Sequence, residues 1–136
     1  MKLSKNFTLE ELTASATARL RGIDNNPTES EIQNLSLLCL RVLQPIRDKF
    51  GSPISITSGF RSPALNKAVR GAKTSQHLTG MAADLISGDN AALWDVICNM
   101  ILNGEITVGQ LIDEKNLSWI HISLPDSRHY NEILHL

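Results

Sequence analysis

The sequence carries no excess charge of either sign: thirteen Lys and Arg oppose fourteen Asp and Glu, for a formal net charge of −1. A dedicated nucleic-acid binder needs a basic excess to compete for phosphates, so no nucleic-acid partner is expected. No apolar run approaches the roughly 18–20 residues that cross a bilayer, which excludes insertion as a membrane helix. The opening residues MKLSKNFTLEELTAS include lysines but no apolar stretch behind them, so no signal peptide is expected and the chain reads as cytoplasmic when synthesised. Cysteine is nearly absent. Cys39 and Cys98 each lie in an apolar segment (LSLLCLRVL and WDVICNMIL), where a buried reduced thiol is the ordinary state. A disulfide between them is open, but nothing in the sequence demands an oxidising compartment. There is no CxxC, no Cys/His pair at zinc-finger spacing, no repeat and no linker. At 136 residues the expectation is one domain, 1–136, in a monomer.

What is present is well punctuated. Thr8-Leu9-Glu10-Glu11 is a capping box opening a short helix, with Phe7 placed as a hydrophobic staple. Arg21 to Pro27 reads as a loop. Thr28-Glu29-Ser30-Glu31 is a second capping box, followed by Ile32, Leu35, Leu38, Cys39, Val42, Leu43, Ile46 and Phe50 at helical spacing. That predicts a long amphipathic helix over about 28–49, ended by Gly51 and Pro53. Ile54 to Ser58 alternates and is β-branched, predicting a strand. Pro63 opens a short helix to about Val69, and Ala82 to Ile86 reads as a second strand. Asp89 or Asn90 caps a helix to about Leu102. Two further strands are expected at about 107–113 and 118–124, with an irregular tail over 125–136 whose last five residues dock weakly. The fold class is α+β, with helices packed on one side of a small, mainly antiparallel sheet.

Four histidines carry most of the chemical interest. His77 stands seven residues before Asp84, with small residues Gly80, Ala82 and Ala83 between them. A turn at Gly80 would let the imidazole and the carboxylate converge beside the strand. His121 lies in Trp119-Ile120-His121-Ile122-Ser123, an alternation that puts Trp119, His121 and Ser123 on one face. Two imidazoles and a carboxylate would make a three-ligand site with a position left for water, as catalytic zinc requires. Composition does not show convergence, and a lone His or Asp is more often a surface or satisfied core residue. His129 and His135 read as surface residues, Trp94 as core, and Trp119 as flanking a cleft.

The run Ser58-Gly59-Phe60-Arg61-Ser62-Pro63, continuing through Leu65-Asn66 to Ser75-x-His77-x-x-Gly80-x-Ala82-x-Asp84 and the late Trp119-x-His121, resembles the M15 family of zinc D-Ala-D-Ala peptidases. That family includes bacterial D,D-carboxypeptidases, vancomycin-resistance dipeptidases and phage L-alanyl-D-glutamate endolysins, and the hedgehog signalling domain shares its fold. The likeness runs from Phe7, through Leu43-Gln44-Pro45-Ile46-Arg47, to about Ser123, and is nearest the compact branch found in phages and prophages. It implies zinc on His77, Asp84 and His121. It implies Arg61 as the arginine that binds a substrate carboxylate or polarises the scissile carbonyl, a role suited to a fixed cationic fork. Ser75 would stand near the metal as a substrate contact, or serve only as a loop cap.

The general base is where the sequence departs from its relatives. Many carry an acid three residues before the last histidine, or a histidine two before it; here those positions are Ser118 and Trp119. A hairpin turning at Lys115-Asn116 would pair Asp113 with Ser118, Ile112 with Trp119 and Gln110 with His121. Gln110, Ile112 and Glu114 then share the His121 face while Asp113 points away, which makes Glu114 the candidate base. In that register it lies roughly 10 Å or more along the strand from the ligand. The expected function is a zinc metallopeptidase, a D,D-carboxypeptidase or endopeptidase, acting on peptidoglycan stem peptides, with Arg61, Ser75, Gln110 and Trp119 contacting substrate. It would reach the wall after release, as a phage-encoded endolysin would. The alternative is a non-catalytic M15-like module that binds wall peptide or serves as a phage structural part.

Overall fold

A computed structural model describes residues 1–136. The chain begins with a small antiparallel ribbon, β1 (Lys2–Ser4) against β2 (Phe7–Thr8). Thr8 then caps α1 (Leu9–Thr13): its hydroxyl accepts from the Glu11 N–H and the Glu11 carboxylate accepts from the Thr8 N–H, so the capping box forms in full. Ser15 caps α2 (Ala16–Arg21), which ends at Gly22 in the left-handed region, φ 65°. The sequence shows no sign of α2 because its six residues bury only Ala18, too little for an apolar period.

The second capping box also forms, at Thr28, and opens α3 (Glu29–Leu38). The expected long helix is continuous but not uniform. A π turn over Cys39–Leu43 joins α3 to α4 (Gln44–Phe50), which stops at Gly51, φ 75°. Pro45 accounts for the turn. It lacks an N–H, and its ring crowds the carbonyl four residues back. Widening the helix just before it, with the Gln44 N–H donating to Cys39 O, lets the helix pass the proline instead of ending there. Leu35, Leu38, Cys39, Val42, Leu43 and Ile46 form one fully buried stripe along this helix.

Five strands make the main sheet, in the order β3 (Ile54–Ser58), β4 (Ala82–Ser87), β6 (Trp119–Ser123), β5 (Gln110–Glu114), β7 (Glu132–His135). All pairs are antiparallel except β5 with β7. Two short helical pieces interrupt the β3–β4 connection: α5 (Pro63–Ala68) and a 3-10 turn, Gln76–Thr79. Asp89 caps α6 (Asn90–Leu102), whose Leu93 and Ile97 are fully buried. One face of the sheet (Ile54, Ala83, Leu85, Leu111, Ile120, Ile122) joins the helices in a single core of 24 buried residues. The neighbouring residues on these strands face the other way, and that face carries the site. The chain is thus an α+β fold with its helices against one side of a mainly antiparallel sheet.

Two expectations need correction. The tail is not irregular throughout, because residues 132–135 form β7. Asn131, at φ 48°, donates its N–H to Val108 O at 2.6 Å and accepts the Val108 N–H at 2.9 Å, steering the chain alongside β5. Four residues are too few for an alternation to be legible. The β5–β6 register also differs: Glu114 pairs with Trp119, Asp113 with Ile120 and Ile112 with His121. The reversal is a longer loop in which Lys115, Asn116 and Leu117 are all left-handed, at φ 47°, 55° and 60°. Asp113 stabilises it by accepting the Leu117 N–H at 2.6 Å. The shift is two residues, so every side chain keeps its face.

Candidate metal centre

The site begins with a close approach between α1 and the turn after β3. A Cβ on Gly59 would stand 2.2 Å from Leu12 O, so only glycine fits there, and the Phe60 N–H bonds that same carbonyl at 2.7 Å. Clamped in this way, the Gly59 carbonyl receives Nδ1 of His77 at 2.7 Å. His77 itself sits on the 3-10 turn, which is capped by Ser75 Oγ and ended by Gly80 at φ 77°. Gly80 then feeds β4, and Asp84 lies directly across from His121 on β6. The three side chains meet: Asp84 Oδ1 is 3.3 Å from His77 Nε2 and 3.0 Å from His121 Nδ1.

The His77 contact identifies what belongs there. A carbonyl oxygen only accepts, so Nδ1 carries the proton and neutral His77 presents a bare lone pair at Nε2. That lone pair faces a carboxylate oxygen, an arrangement that calls for a cation between them or a second proton on the ring. Burial alone would raise the Asp84 pKa, but hydrogen bonds and charge from His121 and His77 outweigh it and hold the carboxyl well below the usual range. Asp84 is therefore ionised at neutral pH. His77, Asp84 and His121 each offer one donor atom, all within 4.8 Å of one another.

Arg61 closes the β3 side. Its Nη2 is 3.8 Å from Asp84 Oδ2, Nε donates to Ser58 Oγ at 3.1 Å, and Nη1 donates to Asn66 Oδ1 at 3.1 Å. Its main-chain N–H donates to His77 O at 3.0 Å, tying the arginine turn to the turn that bears the histidine. Burial lowers the Arg61 pKa and the Asp84 charge raises it. A guanidinium ordinarily titrates so far above neutral that Arg61 stays charged.

A cleft of about 460 Å³ opens over this group. It is lined by the three donors and Arg61, and also by Ser75, Gln110, Glu114 and Trp119, so all eight residues singled out from the sequence face one space. Glu114, opposite Trp119 and one same-face step from Ile112, stands about 7 Å along the strand from His121, nearer than the expected register allowed. No cation pairs with it. Asp113 faces away, bonded to the loop and to His135. Ser75 is a cap as well as a wall residue, since its Oγ accepts the His77 N–H at 3.2 Å.

The peptidase M15 profile matches residues 5–123, most of the chain. The chain belongs to the peptidase M15 family. No curated protein sequence matches it. M15 peptidases are zinc enzymes, and the donor set here fits that ion. Tetrahedral zinc with bonds of ~2.0–2.1 Å sets its donors about 3.3 Å apart, close to the 3.3 and 3.0 Å found around Asp84 Oδ1. The Gly59 carbonyl supplies the outer hydrogen bond that orients a ligating imidazole.

Five lining residues were not singled out as site residues in the sequence: Ala72, Thr74, Gln76, Ile112 and His129. Ile112 is an apolar floor residue opposite His121, and Gln76 precedes the first histidine. His129, expected at the surface, instead lines the cleft of this M15 peptidase with its side chain 26% exposed. It is there because Asp126 Oδ1 accepts the N–H groups of Arg128 and His129 at 2.7 and 2.8 Å, curling the loop back. The spacing Asp-x-x-His is the only trace of this in the sequence. His135 is exposed, as expected, and both cysteines are free.

Proposed function

We propose that this protein is a zinc peptidase that hydrolyses peptide bonds in peptidoglycan stem peptides. The carrying observation is one cleft holding three convergent metal donors, a half-buried guanidinium and a carboxylate with no cationic partner. Zinc bound by His77, Asp84 and His121 would supply Lewis acidity and make water nucleophilic at neutral pH. Glu114 accepts the proton of the attacking water and returns it to the leaving amine. Arg61 is already fastened by Ser58 and Asn66, so it meets developing negative charge on the scissile carbonyl, or a substrate carboxylate, with little reorganisation. Ser75 and Gln110 offer hydrogen bonds to the peptide, and Trp119 offers a flat wall beside Glu114. A cleft that is open and largely polar suits an extended peptide better than a compact apolar ligand.

The test is a digest of purified peptidoglycan with zinc-loaded protein, read as released muropeptides by mass spectrometry beside a His77→Ala control. A product absent from the control supports the enzyme, and its mass tells D-Ala-D-Ala cleavage from L-Ala-D-Glu cleavage. Folded, zinc-binding protein that releases nothing from several wall types would leave a non-catalytic wall-binding module in its place.

A further inference from the structure

The cleft has two ends, and only one is occupied by the chemistry above. On β5, Ile112 lies opposite His121, so Glu114 stands to one side of the metal ligands and Gln110 to the other. They are four positions apart, about 13 Å of strand. Gln110 pairs with Glu132 of β7, and the Glu132 carboxylate bonds Nδ1 of His129. The His129 backbone is held independently by Asp126, whose second carboxylate oxygen accepts from Gln76 Nε2 at 2.9 Å. Gln76 adjoins His77, so the loop carrying His129 is fastened to both walls of the cleft. The ring is thereby oriented on one nitrogen, and its Nε2 bonds no protein group. It is too far away to join the three metal donors.

We propose that His129 is a substrate-binding residue, with Nε2 hydrogen-bonding the main chain of the peptide segment that runs past the scissile bond towards Gln110, and that Glu132 is its positioning residue. The inference rests on the peptidase reading of the same cleft. Peptide main chain supplies both N–H and C=O groups, so the imidazole finds a partner in either protonation state. At about 3.3–3.4 Å per extended residue, a peptide running from Glu114 past Gln110, whose β7 partner Glu132 holds His129, spans about four residues. The site therefore favours stem peptides of four or more residues over dipeptides. Both residues lie beyond the 5–123 segment that defines the family match, so this is a property of the chain's own C-terminal loop and strand.

The experiment compares synthetic stem peptides of two to five residues with zinc-loaded protein. His129→Gln should raise KM for the longest peptide about tenfold, the loss of one good hydrogen bond, with kcat changed by less than about twofold. The penalty should shrink as the peptide shortens, and Glu132→Gln should act more weakly in the same direction. An equal loss at every length, or a loss in kcat alone, would overturn the proposal. Should the wild-type protein cut none of the peptides, the peptidase reading fails, and imidazole 15N resonances decide the His129 contact separately. Adding the pentapeptide should shift His129 Nε2 and the dipeptide should not; no shift with either ends the proposal.

Discussion

The two faces of the main sheet are made from alternate residues of the same strands. On β6, Ile120 and Ile122 are fully buried against the helices, while Trp119 and His121, alternating with them, line the cleft. On β4, Ala83 and Leu85 flank Asp84 in the same way. One face gains stability by excluding water. The other keeps polar groups close together, where each needs a partner or an ion, and so contributes chemistry at some cost to stability. Because the faces alternate, a substitution on one leaves the other geometrically in place.

That separation can be broken from either side. The largest effect expected is from chelation, which should take hydrolysis below detection while far-UV circular dichroism stays unchanged, with zinc restoring activity. Unfolding on chelation would mean that the site face is structural after all. Glu114→Gln comes next, with kcat down by about 10²–10⁴-fold at unaltered zinc content and melting temperature. On the opposite face, Leu85→Ala should cost about 2–5 kcal/mol in urea unfolding while the folded fraction keeps its specific activity. Thr28→Ala, outside the cleft lining, removes half of a capping box and should cost about 1 kcal/mol with no kinetic effect.

The smallest effect concerns pH. Burial, with a smaller push from Glu11, raises the Cys39 thiol from 9.0 to about 12. Between those values the unfolded chain loses a proton that the folded chain keeps, so stability falls as pH rises through that window. Below pH 9 it makes no difference. In Cys39→Ala the slope of stability against pH should lessen by up to about one proton, as followed by urea midpoints, and iodoacetamide should reach Cys98 before Cys39 in the native protein.

The helices and strands that were legible in the sequence have local causes: two capping boxes, a stripe from Leu35 to Ile46, and alternation at Ile54–Ser58 and Trp119–Ser123. What was not legible has distant ones. α2 and β7 are too short to show a period, and β7 exists because Asn131 bonds Val108, 23 residues earlier. The β5–β6 register turned on three consecutive left-handed residues, a conformation that Leu117 adopts only under the pull of Asp113 and of Asn90, which bonds its carbonyl at 2.8 Å. For the site, the donor types and their order could be read directly. The distances around Asp84 could not, and neither could the place of His129.

By itself, then, the sequence determined which of the longer segments are helical or extended, which strand residues share a face, and which side chains have the chemistry to hold a metal. These follow from backbone propensity and side-chain period, which act over a few residues. The tertiary structure alone decided that residues 59, 77, 84 and 121 meet at one point, that Glu114 stands two positions nearer His121 than a tight hairpin allows, and that the loop before the C-terminal strand delivers a histidine to the cleft. Each of these depends on hydrogen bonds and packing between residues far apart in the chain, and no local pattern encodes such contacts.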